Sequence, residues 1–210
     1  NVNYKISGGT AKNLKTIDII VEEKPTGEIS AGAGIGTNGG SFAFTVKENN
    51  YLGEGKNVGF NMEIDQESVK GTLNYTNPNY DFLGNAIRYY LTSETNDQPD
   101  QGYENTIIGA GISTTFEQYN DVYTTLGINA AHDDLQTLDS ASASLKKQSG
   151  TFDEISGTYG FTFDKRNRSF MPTDGSIISF NQSLPIYADK SFIANTLSAS
   201  TYRTITEDVI

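Results

Sequence analysis

The chain has 210 residues, with 26 acidic against 15 basic side chains and a formal charge of −11, and this balance excludes nucleic acid as a partner, because phosphate binding needs clustered Lys and Arg. The apolar share is 36%, and no window approaches the roughly 18 consecutive apolar residues of a membrane helix, so a helical membrane protein is excluded; counting the 21 glycines restores a globular apolar content and removes any case for disorder. With no cysteine there is no disulfide framework, no thiolate chemistry and no cysteine metal site.

Reading for period two gives extended segments throughout and no convincing helical period. The first two, Val2 to Ser7 and Thr16 to Glu23, flank GGTAKN as a hairpin, and Ile20 is the one break in the alternation of the second. This small piece, residues 1–25, ends at Lys24-Pro25, and from residue 26 to 210 the pattern changes. Ile29, Ala31, Ala33 and Ile35 alternate with Ser30, Gly32, Gly34 and Gly36. Phe42, Phe44 and Val46 follow, then Val58 to Ile64, Val69 to Tyr75, Ile87 to Leu91, Ile108 to Ile112 and Val122 to Ile128. In the next, Ile155, Gly157, Tyr159, Phe161 and Phe163 oppose Glu154, Ser156, Thr158, Thr162 and Asp164. Ile178 to Phe180 and Leu197 to Thr201 complete ten strands after Pro25.

One face of these strands is apolar. The other carries Glu63, Asp65, Lys70, Arg88 and Asp164, which a dry sandwich core would not accept unpaired, so this face is wet. Each strand reads as about 8 to 12 residues, the reach of a tilted strand crossing a bilayer. Long polar connections, Ser93 to Asn105 and His132 to Asp153, alternate with a second class rich in Gly, Pro and aromatics, as expected of a barrel whose two ends meet different surroundings. The fold expected is therefore all-β, an antiparallel transmembrane β-barrel, with a soluble sandwich as the rival. Asn1 opens the chain without Met or an apolar leader, so no signal peptide is visible, and the chain reads as a piece cut inside a strand pattern at one end and just after one at the other.

No chemical site emerges. His132-Asp133-Asp134 reads as a solvated loop tip, since the only His has no second ligand at a recognised spacing. Asp97, Asp100 and Glu104 lack a calcium-loop pattern. The glycines at 32, 34, 36, 109 and 111 precede no helix that would make a phosphate loop, and they fit strands that bend. No enzyme, cofactor or metal is expected. In the turn after Phe163, Arg166 and Arg168 sit with Asp164 and Asp174 as local pairs that stiffen the turn or as a contact for a partner or lipid headgroup. Pro172 fixes one φ there, and Asp174-Gly175 supplies a residue free to take positive φ.

The run Tyr159 to Ser176, with FDKRNRSFMPTDGS, resembles the eighth strand, periplasmic turn and ninth strand of the BamA family of outer-membrane protein assembly factors, an insertase superfamily that joins POTRA domains to a barrel. Three further stretches match in the same order: VEEKPTGEISAGAGIGTNGG at Val21 to Gly40, like the junction from the last POTRA domain into the first barrel strand; NNYLGEGKNVGF at Asn49 to Phe60, like the first periplasmic turn; and YTNPNY at Tyr75 to Tyr80, like the second. The resemblance implies that residues 1–25 are the C-terminal hairpin of a POTRA domain and that 26–210 are the N-terminal part of a barrel of about sixteen strands. It implies an outer membrane of a Gram-negative bacterium, with the N-terminus in the periplasm. The implied function is insertion and folding of other barrels through a lateral gate at Gly27, Glu28, Ile29, Ser30, Gly32, Gly34 and Gly36, with Asp164, Arg166, Arg168, Pro172, Thr173, Asp174 and Gly175 forming a family periplasmic turn. Implied partners are unfolded outer-membrane proteins, lipoproteins of the assembly complex and outer-membrane lipid. A secretion pore of the same superfamily and a complete ten-stranded pore remain as alternatives.

Overall fold

The computed structural model describes residues 2–9, 11, 13–22, 24–36 and 39–204. Thr10 and Lys12 of the GGTAKN turn, Thr37 and Asn38 of TNGG, and residues 205–210 lie outside the described residues. A two-stranded hairpin, β1 (Val2–Gly8) and β2 (Lys15–Val21), precedes ten strands: β3 (Gly27–Gly36), β4 (Gly39–Tyr51), β5 (Lys56–Ile64), β6 (Ser68–Asn77), β7 (Ala86–Gln98), β8 (Tyr103–Tyr119), β9 (Val122–Thr137), β10 (Gly150–Asp164), β11 (Asp174–Ala188) and β12 (Ala194–Arg203). A four-residue helix, α1 (Ala143–Lys146), sits between β9 and β10. The ten strands form one antiparallel sheet in chain order from β12 to β3, and the sheet is open, with β3 and β12 as its edges.

Cross-strand register assigns the two faces. Phe60, Leu73, Leu91, Ala110, Ala130 and Ile155 are successive partners from β5 to β10 on one face. Gly59, Asn74, Tyr90, Gly111, Asn129 and Ser156 are successive partners on the other. The apolar face is the exposed one, with Leu91, Ile108, Leu126, Ile128 and Ile155 open to the surroundings, while Ser156 on the polar face is buried. Ala141, 7% exposed, is the one buried apolar side chain among the described residues. The accessible surface is 14925 Å², where a compact soluble monomer of 22.8 kDa exposes about 9,600 Å². A sandwich would bury its apolar face; this sheet turns it outwards, so the sandwich reading fails and the barrel reading holds.

The polar face is knitted by its own side chains. Lys70 pairs with Glu94 at 3.1 Å, Thr45 donates to Asn61 at 2.6 Å, and Tyr90 donates to Asn129 at 2.5 Å, with the Arg88 guanidinium over the Tyr90 ring. Gly111 lies beneath that last bond, where a Cβ would come within 2.4 Å of the Tyr90 ring and 2.5 Å of Asn129 Oδ1.

Three expectations change. Strand lengths run from 9 to 17 residues, not 8 to 12. The Ser93–Asn105 loop is mostly ladder, since β7 and β8 stay paired up to Gln98 and Tyr103. His132, Asp133 and Asp134 form no loop tip; they lie in β9 opposite Asp153, Phe152 and Thr151, and the real connection is 138–149, which includes α1. The cause is common to all three. Beyond the apolar band both faces of a strand are polar, so alternation fades while hydrogen bonding continues. The helix is set by a Ser142 N-cap whose Oγ accepts from Leu145 N at 3.2 Å, a local signal too short to show as a period.

Candidate functional site: an edge strand and a braced turn

β3 pairs with β4 from Gly27↔Glu48 to Gly36↔Gly39, and its other edge meets no strand among the described residues. Its burial is low at every position. The root of the strand is fixed: Thr26 Oγ1 donates to Glu48 Oε1, Asn49 donates to the Thr26 carbonyl through both its backbone N–H and its Nδ2, and Glu48 Oε1 also accepts from Asn50 N at 2.8 Å. Towards the tip that support ends. Gly32 and Gly36 have nothing within 4 Å of a would-be Cβ, and Gly34 has only Ser41 Oγ, at 3.2 Å. Packing inside this chain therefore does not require glycine at 32 or 36. What those glycines do provide is a thin strand with few side-chain contacts on its polar face.

Thr26, Glu48 and Asn49 were not foreseen from the sequence. They lie 22 or 23 positions apart, and only the β3–β4 register brings them together.

The turn from β10 to β11 is braced at each step. Asp164 accepts from Arg166 Nε at 2.8 Å and from its Nη2 at 2.6 Å, and from Arg166 N at 3.1 Å. The hydrogen-bonded Asp164 carboxylate pushes the Arg166 pKa up. Arg168 Nε donates to the Met171 carbonyl at 2.6 Å. Asn167 Oδ1 accepts from Thr173 N and Asp174 N at 3.1 and 3.3 Å, while its Nδ2 donates to Thr173 Oγ1 at 2.7 Å. Gly175 takes φ 99°, and a Cβ there would stand 2.1 Å from the Lys165 carbonyl, so glycine is required. The Thr173 carbonyl accepts from Thr204 at 3.1 Å; Pro172 makes no polar contact of note. Local pairing thus accounts for Arg166. Arg168 is held by a carbonyl, with no carboxylate partner among the described residues.

The edge strand and the turn lie at the same end of the sheet, seven strands apart; they do not form one site. Among the described residues no group of three or more His, Asp or Glu is placed to hold a metal ion.

A family model for the Omp85 superfamily domain matches residues 50–210. The chain belongs to the Omp85 superfamily. Its fold is similar to that of BamA from Haemophilus ducreyi, in a crystal structure lacking POTRA domains 1-3, with a TM-score of 0.75 at 22% identity, over 99% of this chain and 43% of that one. The chain thus spans less than half the length of that relative, and its ten-stranded sheet has the fold of the corresponding strands of the BamA barrel. Within the Omp85 match fall β5 to β12 and the braced turn, whereas β3 lies before it and is supported by the fold comparison.

Proposed function

We propose that this Omp85 chain forms the N-terminal part of an outer-membrane insertase barrel, in which β3 is one side of a lateral gate where incoming barrel strands are received. The observation that carries this reading is the combination found at β3: an outer half thinned by glycines that packing within the chain does not require, and a latch confined to Thr26, Glu48 and Asn49. A strand held this lightly can part from a neighbour, and its edge then accepts another strand by main-chain hydrogen bonding, with register set by the backbone ladder and no catalytic side chain needed. Residues 1–25 then belong to the last POTRA domain, because β1 and β2 pair into a hairpin whose apolar residues Val2, Tyr4, Ile6, Ile17, Ile19 and Val21 lie on one exposed face, the mark of a piece whose covering layer lies elsewhere. On this reading the Gly27 end faces the periplasm of a Gram-negative bacterium. The partners are unfolded outer-membrane proteins, the lipoproteins of an assembly complex and outer-membrane lipid.

The test is a disulfide between a cysteine introduced at Ser30 and one in the last strand of the full-length protein. Locking the seam should stop assembly of other barrels, and reduction should restore it. Assembly that proceeds with the seam locked sinks the gate, and loss of passenger export instead would assign the chain to a secretion pore of the same superfamily.

A further inference from the structure

The two ends of the sheet differ in what their turns present. At the Gly27 end the turns expose Leu52 at 78%, Phe82 at 96% and Phe170 at 79%, along with Leu83, Tyr119 and Met171. Three polar side chains, Asn50, Asp81 and Glu117, are spent on the turns' own backbone. Asn50 Oδ1 accepts from Gly55 N at 2.6 Å; Asp81 accepts from Leu83 N at 3.0 Å, Asn85 N at 3.1 Å and Asn85 Nδ2 at 2.7 Å; Glu117 accepts from Asp121 N at 3.0 Å. Leu52 and Met171 also take positive φ, 57° and 47°, a region that side chains with a Cβ rarely adopt. Turns that accept such backbone and consume their own polar atoms hold an apolar side chain out in a fixed direction. At the far end the tips are Asp65 to Glu67 and Pro99 to Gln101, and the exposed Leu138, Phe192 and Ile193 sit among Asp139, Asp189 and Lys190.

We propose that the turns at the Gly27 end form a rim bedded in the phospholipid leaflet, with Leu52, Phe82, Leu83, Phe170 and Met171 at the boundary between headgroups and acyl chains. Lys165 and Arg168, neither paired with a carboxylate in the turn, meet lipid phosphates. Lipid fits this surface better than a protein partner for two reasons. The tips are strung along the sheet from β4 to β11, on the order of 34 Å at the usual strand spacing, as a line and not as the compact patch of a protein interface. They also continue the outward apolar face: Tyr80, in the same turn as Phe82, lines a 640 Å³ groove with Ile87, Ile112, Leu126, Tyr159 and Leu184 of that face. Amphipathic surfaces with an apolar edge and cationic flanks settle at this depth of a bilayer.

The inference rests on the barrel reading and is independent of the gate. These 210 residues hold no tryptophan, and a tryptophan placed singly among them in the full-length protein is read as the difference from the parent spectrum. F82W and F170W are compared with L91W in the apolar band and D100W at a far tip, in vesicles of phosphatidylethanolamine and phosphatidylglycerol whose acyl chains carry bromine near the headgroup. F82W and F170W should shift to the blue and lose emission to the brominated lipid, as L91W does, while D100W stays red and is quenched by aqueous iodide. In the K165Q/R168Q background, F170W should lose its excess quenching by brominated phosphatidylglycerol over brominated phosphatidylethanolamine. If L91W is quenched and the two tips remain open to iodide, the rim faces water or a protein partner and the inference falls; if L91W itself escapes quenching, the barrel reading falls with it.

Discussion

Arg166 lays its guanidinium along the Asp164 carboxylate, donating to one oxygen from Nε and to the other from Nη2, at 2.8 and 2.6 Å. This fork fixes the direction in which the chain leaves β10, and the Asn167 side chain then closes the return on Thr173 and Asp174.

The brace is divided between charge and amide, so two substitutions separate its parts. N167A removes three hydrogen bonds, two of them to backbone N–H groups, and should lower the stability of the lipid-reconstituted full-length protein by about 1–3 kcal/mol, read as the shift in urea midpoint. R166K keeps the charge but loses the planar fork, and should loosen the turn with little dependence on salt, read as protease cleavage between Lys165 and Thr173.

The latch at the root of β3 predicts where that strand opens. T26V removes the hydroxyl that donates to Glu48, and amide exchange should rise at Gly27 to Ile29 while the β4–β5 ladder keeps its protection. If exchange at the root is unchanged, Thr26 and Glu48 are not what holds it.

Glycines on the same face should respond oppositely. G111A forces Tyr90 and Asn129 aside and should cost about 1–3 kcal/mol in stability. G32A enters open space, and should leave stability unchanged or raise it by about 0.4–1 kcal/mol while slowing barrel assembly, because a stiffer strand separates less readily. A G32A protein that assembles barrels at the parent rate would show that the thinness of β3 does not set the rate.

The β5–β6 turn carries a pH dependence of known sign. Ser68 Oγ donates to Asp65 Oδ2 at 2.7 Å and Glu67 N to its Oδ1 at 2.8 Å, and these bonds hold the Asp65 carboxyl below its usual pKa. A lowered folded-state pKa gives stability that is present above the unfolded value, about 4, and is lost as pH falls through the folded one. Protection of the Glu67 and Ser68 amides, measured against their intrinsic exchange rates, should therefore fall below about pH 4, and D65N should flatten that profile.

How much of this was legible depended on which face a residue occupies. Ten strands after Pro25 could be read because Leu91, Ile108 and Ile128 alternate with polar partners, and the strand order followed from the chain order. The outer hairpins could not, since Asp97 and Glu104, or His132 and Asp153, are polar on both faces and only the ladder shows that they are extended. The braced turn was legible as a string, and Arg166 pairs with Asp164 as its spacing allowed. Thr26 and Glu48 were not, because nothing local marks two residues 22 apart as partners; register does. The depressed carboxyl of Asp65 is likewise a matter of turn geometry and has no signature in composition.

Ala141 is the one apolar side chain among the described residues that the protein itself buries. A soluble domain of this size keeps dozens of interlocking interior residues, and each constrains its neighbours' volumes. Here the outward residues meet a fluid that reshapes itself around any apolar side chain, so Leu, Ile, Val and Phe can replace one another there without a compensating change elsewhere. Selection is left to act on the ladder, the polar face and the turns. The ladder, the polar face and the turns then specify the fold, and the outward band has only to stay apolar.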